Sequence, residues 1–182
     1  MTNLQNSKNF KDYKGFIILG VDPGFKGGLS FLNPSDMSVK SYPMPIIKGA
    51  KTSLDKHAIL DLFLEHSPEM MCIEKVGAMP GQGVTSMFSF GYYAGFFEGL
   101  ASGLALPFVQ FTPQGWMKDV FEGMNKSDEK SSIRFCQNIW PKNVWLASDR
   151  SRVPHDGMTD SACIALAGYR KWKKDAYNRI ML

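Results

Sequence analysis

Apolar runs along the chain differ in length and period, and the difference separates strands from helices. "GFIILGVD" (residues 15–22) is a continuous run of large and β-branched residues, the pattern of a strand buried on both faces. "GGLSFLNP" and "SVKSYPMP" follow at short spacing with Gly, Pro and Asn between them, which predicts two further strands in a meander. "SLDKHAILDLFLEHSP" then sets Leu54, Ala58 and Leu62 at helical spacing, with Ile59 and Phe63 beside them. Ser53 is its expected cap and Pro68 its stop. "EMMCIEKV" predicts a fourth strand that ends, like the first, in a carboxylate.

After the loop "GAMPGQG", the stretch "VTSMFSFGYYAGFFEGLASGLAL" predicts a long helix. Its Gly91, Gly95, Gly99 and Gly103 recur four apart on one face, where small residues allow tight packing, here expected against the sheet. "PFVQFTP" predicts a fifth strand, and "PQGWMKDVFEG" and "SDEKSSIRFCQNIWP" two helices, the second capped near Ser127. "HDGMTDSACIALAGYRKWKK" predicts a last helix with Ala162, Ile164, Ala165, Ala167 and Gly168 on its apolar side. The order β-β-β-α-β-α-β-α-α-α implies one α/β domain. Its expected limits are residues 15–174, after a disordered leader at 1–14 and before a tail at 175–182.

Composition adds limits. With 182 residues, 44% hydrophobic and 21% charged, the chain can bury a core without metals or disulfides. A net charge of +4 is compatible with a polyanionic partner without requiring one. The three cysteines, Cys72, Cys136 and Cys163, lie among apolar neighbours with no CxxC spacing, so they read as small buried residues of a reducing compartment. No apolar run reaches the ~20 residues of a membrane span. No secretory signal opens the chain. No membrane association and a cytoplasmic location are expected.

The chemistry is carried by acids at special places. Asp22 and Glu74 each end a strand, while Asp156 and Asp160 open the last helix four residues apart, on one face. If the first and fourth strands are neighbours, all four carboxylates meet. Such a cluster repels itself unless a cation neutralises it, and hard oxygen donors suit Mg²⁺ or Mn²⁺. Two such ions about 3.5–4 Å apart could clamp a phosphodiester. Gly24, Gly27 and Gly28 read as leaving a phosphate backbone an open path to Asp22, and the Gly27–Gly28 pair also as permitting a tight hairpin into the second strand. Taken singly, each acid also fits an ordinary role as turn former, solvated strand end or helix cap.

Four segments together, "GVDPGFKGGL", "CIEKVGAMPGQGVTSMFSFG", "FTPQGWMKDVF" and "HDGMTDSACIALAGY", resemble the RuvC-type Holliday junction resolvases. The likeness is to the branch of phages and prophages related to the organellar and poxviral enzymes, and it runs from about residue 15 to 169. The resemblance implies an RNase H-like fold with a mixed five-stranded sheet flanked by helices. It also implies a homodimer that cuts four-way junction DNA by paired symmetric nicks, using Mg²⁺, for which Mn²⁺ can substitute. By that likeness Asp22, Glu74 and Asp160 match the family's acids, and Lys118 and Lys130 match two basic positions that face the substrate. The bacterial enzymes space the two helix acids three apart, which would fall on Gly157; here Asp156 stands four before Asp160, as in the phage and organellar branch. His155 reads as a hydrogen-bond donor behind the ligands, as an occasional metal ligand itself, or as a solvated residue beside a helix start.

Two further features stay open in the sequence. The aromatics Phe88, Phe90, Tyr92, Tyr93, Phe96 and Phe97 divide between core or dimer interface and base-stacking surface. "YRKWKK" (residues 169–174) suits either DNA phosphates or a helix C-terminus. Among rival functions, an actin-like phosphate loop would need a second lobe, and a junction binder without catalysis does not need the acids. Another RNase H-like metal-dependent nuclease, acting on branched DNA or an RNA–DNA hybrid, is the main alternative.

Overall fold

The first apolar run forms β1 (Ile18–Asp22), which turns back antiparallel into β2 (Gly28–Asn33) and then β3 (Ser38–Pro43). The computed structural model describes residues 15–50, 52–75, 77, 83–122 and 131–180. Two short strands, β4 (Ile46–Ile47) and β5 (Ser53–Leu54), pair as a separate hairpin before α1 (Lys56–His66). Then come β6 (Met70–Glu74), α2 (Val84–Gly103), β7 (Phe108–Phe111), α3 (Pro113–Val120), α4 (Ser131–Ile139) and α5 (Asp156–Ile180). The main sheet has the order β3-β2-β1-β6-β7, with β1–β6 and β6–β7 parallel. It is the mixed five-stranded sheet, flanked by helices, that the sequence implied.

Strand alternation sorts the core into two layers. Leu19, Val21, Leu29, Phe31, Met71 and Ile73 pack with α1 and α2. Ile18, Leu32, Met70 and Cys72 pack with α3, α4 and α5 on the other face. Gly20 and Asp22 share the second face with Ile18, as Glu74 does with Cys72. Gly20 is what lets α5 lie so close: a Cβ there would sit 2.0 Å from the Ser161 carbonyl oxygen and 2.6 Å from the Ala165 nitrogen. Buried hydroxyls hold the same seam, with Ser30 Oγ 2.7 Å from Ser161 Oγ and donating to the Met158 carbonyl at 3.1 Å.

Several expectations change. Ser53 lies in β5, and Asp55 caps α1 by accepting the Ala58 N–H at 3.0 Å. Asp is as good a cap as Ser, and the hairpin consumes Ser53. The glycine face of α2 does not pack on the sheet: Cβ atoms at Gly91, Gly95, Gly99 and Gly103 would meet nothing within 4 Å. The buried side of α2 is instead Tyr93, Phe97 and Ala101, whose larger area wins the core. Gly27 and Gly28 are crowded by the protein itself, the first by the Asp22 carbonyl and the second by the Gly157 carbonyl, so they close the β1–β2 turn on α5 rather than clear a path for phosphate. α5 runs on to Ile180, with an ion pair from Lys171 to Asp175 at 3.1 Å across residue 174. All three cysteines are buried and free, with Cys136 Sγ 3.7 Å from Cys163 Sγ. Among the described residues no helix is long and apolar enough to cross a membrane. Residues 1–14, Ser127 and most of "GAMPGQG" lie outside the described residues.

Candidate active site

Parallel pairing of Val21 with Ile73 leaves Asp22 and Glu74 as the next residues of adjacent strands, at the same end and on the α5 face. α5 begins at Asp156 over that end, because Gly157 packs against the Gly27 backbone and Gly28 against the Gly157 carbonyl. A side chain at Gly28 or Gly157 would push the helix away. His155 closes the helix start: its carbonyl accepts the Met158 and Thr159 N–H groups, and its Nδ1 accepts from Met158 at 3.3 Å. Asp156 is exposed, whereas Asp22, Glu74 and Asp160 are partly buried.

Asp22 and Asp160 feel the charges of the other acids. The Asp22 carboxyl is pushed well above its usual range, first by burial and then by the charges of Asp160, Glu74 and Asp156. Asp160 is raised to about 6, again first by burial, against a hydrogen bond from Ser132 that lowers it and the charges of Glu74 and Asp156 that add to it. Burial raises Glu74 as well, opposed by the indole N–H of Trp116, which donates to Glu74 Oε2 at 2.7 Å. These are carboxylates held where they disfavour their own charge, the condition a bound cation relieves.

The donor set suits a hard divalent ion, being four carboxylates with no soft ligand required. Among the described residues no three His, Cys, Asp or Glu side chains are already arranged to hold a metal. Ligation would therefore need the carboxylates to draw in from the positions they hold.

Trp116 and Ser132 were not legible as site residues. Trp116 is 3% exposed, and a buried indole N–H needs an acceptor; the only sequence signal was its place in the "WMK" segment. Lys118 is exposed in the last turn of α3, two residues beyond Trp116 and not at the helix start. Lys130 lies outside the described residues. Tyr93 and Phe97 belong to the core, while Phe88 and Tyr92 are exposed. Of the "YRKWKK" cations, Arg170 is bonded to the Asp119 carbonyl and Lys171 is paired to Asp175.

A stability test follows from Asp160. Its folded pKa of about 6 exceeds the usual 3.8, so the folded state binds more protons between those values and stability falls as pH rises through them. Without divalent ions, Asp160→Asn should match wild type near pH 3 and exceed it at pH 7 by about 1–3 kcal/mol. Urea denaturation in a chelator measures this, and a variant less stable than wild type at pH 7 would contradict it.

No family model matches the sequence, and no curated relative matches it. Solved structures do. The yeast mitochondrial Holliday junction resolvase Ydc2 aligns with a TM-score of 0.58 at 18% identity, over 88% of this chain and 80% of its own. Thermus thermophilus RuvC aligns at 0.56 and 15% identity, over 88% and 97%. The fowlpox virus Holliday junction resolvase aligns at 0.52 and 16%, over 86% and 99%. Across nearly its whole described length, the chain has the RNase H-like fold of the RuvC-type Holliday junction resolvases.

Proposed function

We propose that this protein is a structure-selective endonuclease, a crossover junction endodeoxyribonuclease that resolves four-way DNA junctions. The observation that carries it is the placing of Asp22 and Glu74 on adjacent parallel strand ends, beneath Asp156 and Asp160 of α5, in a fold shared with junction resolvases. Two of the similar structures, from T. thermophilus and fowlpox virus, contain junction DNA. Asp22, Glu74, Asp160 and Asp156 would hold Mg²⁺, or Mn²⁺ in its place. When bound, two such ions would supply Lewis-acid polarisation of the phosphate and an activated water. The chain's own part is to present the acids on rigid elements, to fix Glu74 through Trp116 and Asp160 through Ser132, and to bring a phosphate against Lys118.

Paired symmetric nicks call for two sites related by a twofold axis. The open face of α2 offers the surface. Gly91, Gly95 and Gly99 leave the backbone accessible there, and Val84 and Phe88 on the same side are 77% and 76% exposed, an apolar area that a second copy would cover. Gly95→Leu, whose Cβ would meet nothing within 4 Å in the monomer, should leave the fold intact and shift sedimentation from dimer to monomer. A wild-type monomer, both free and on junction DNA, would contradict the dimer.

Lys118 acts on the transition state in this reading, so Lys118→Ala should slow single-turnover cleavage by roughly 10–100-fold with little change in Kd. An unchanged rate with weaker binding would make it a docking residue. The whole function is tested with a supercoiled plasmid that extrudes a cruciform. Coupled nicking gives linear product within one binding event, whereas uncoupled nicking gives accumulating nicked circles.

A further inference from the structure

The chain between α4 and α5 has no helix or strand from residue 140 to 155, yet it is firmly built. Trp140 donates from Nε1 to the Met37 carbonyl at 2.7 Å, and Asn143 Nδ2 donates to the Val39 carbonyl at 2.7 Å. Trp145 is buried against Trp140. The Trp145 carbonyl then accepts the His155 N–H at 2.7 Å, which ties residues 146–154 into a closed loop. Its neck is the residue before Asp156. Inside it Ser151 N–H donates to the Ser148 carbonyl at 2.9 Å, and the two hydroxyls lie 3.1 Å apart. The closed loop thus carries Arg150 within this turn and Arg152 just after it.

Both arginines are exposed, and among the described residues neither has an ion-pair partner. That differs from Arg170 and Lys171, whose charges are met by Asp119 and Asp175. Location gives this free charge a use. Four carboxylates repel an approaching polyanion, so a site that takes DNA needs cations on its flank. Guanidinium suits that task because it stays charged and matches phosphate with paired N–H groups.

We propose that the closed loop 146–154 is a DNA-backbone contact, in which Arg150 and Arg152 each take a phosphate of the duplex arm lying beside Asp156. The assignment rests on the reading of the acids as a DNA-cutting site. The loop grips ground state and transition state alike, so it contributes affinity and not rate.

The test measures junction and linear-duplex Kd against salt concentration for wild type, Arg150→Ala, Arg152→Ala, the double variant and, as a control remote from the loop, Lys171→Ala. Each single substitution should weaken junction binding roughly 5- to 10-fold near 0.1 M salt and reduce the log–log salt slope by about one, the double variant by about two. Cleavage by saturating protein should stay within about twofold of wild type. A double variant with wild-type affinity and slope overturns the loop's role while leaving the junction reading intact. Equal wild-type affinity for duplex and junction, with a slope the double variant still lowers, overturns junction selectivity and supports the loop. Binding to neither DNA overturns both.

Discussion

Asp22→Asn should abolish Mg²⁺-dependent cleavage of a four-way junction and leave the junction bound. Asn keeps the size of the side chain and removes the charge at the point where three other acids converge electrostatically. On the proposed metal-binding role, loss of one anionic ligand would forfeit Lewis-acid stabilisation worth several kcal/mol, and about 4 kcal/mol is about 10³-fold in rate. Binding behaves differently, because removing a negative charge costs no phosphate contact and lessens repulsion of the DNA. Single-turnover cleavage and a binding titration in Ca²⁺ or chelator separate the two. A variant that cuts at the wild-type rate would remove Asp22 from the mechanism.

Gly20→Ala should damage both fold and activity, although Gly20 touches no substrate. The added methyl would fall 2.0 Å from one main-chain atom of α5 and 2.6 Å from another, and backbone cannot rotate away. α5 must shift off β1. Overpacking of this kind costs about 1–3 kcal/mol or more, which for a chain of this length lowers Tm by roughly 2–4 °C per kcal/mol. Asp22 is two residues on and faces the same helix, so the shift also parts Asp22 from Asp160. Cleavage should fall further than the folded fraction accounts for, at a temperature where the variant is still folded by circular dichroism. A variant with wild-type Tm and rate would show that this close approach does not set the site.

The parts of this arrangement that were legible are those written locally. An unbroken apolar run ending in an acid marks a buried strand tip, and two such runs gave Asp22 and Glu74 before any pairing was known. Asp156 and Asp160 were legible from the four-residue spacing alone. Facing was harder. The glycines of α2 announced a small-residue face, but not that Tyr93, Phe97 and Ala101 would take the core and leave it open. Gly27 and Gly28 announced a close approach without saying that the approaching backbone is that of the protein. Nothing local marked Trp116, because the acceptor for its N–H lies 42 residues away on another strand. The β4–β5 hairpin has two-residue strands, too short for any alternation to show.

Whether these acids cut DNA at a branch is decided by comparing three substrates. An immobile synthetic four-way junction, the matching linear duplex and an RNA–DNA hybrid of the same sequence are incubated with the protein in Mg²⁺. Each strand is then read on a denaturing gel. A nuclease selective for branched DNA leaves nicks at symmetry-related positions in two opposing strands of the junction, with ligatable ends, and cuts the other two substrates little. Cutting of the hybrid or the duplex at the rate of the junction would contradict that selectivity.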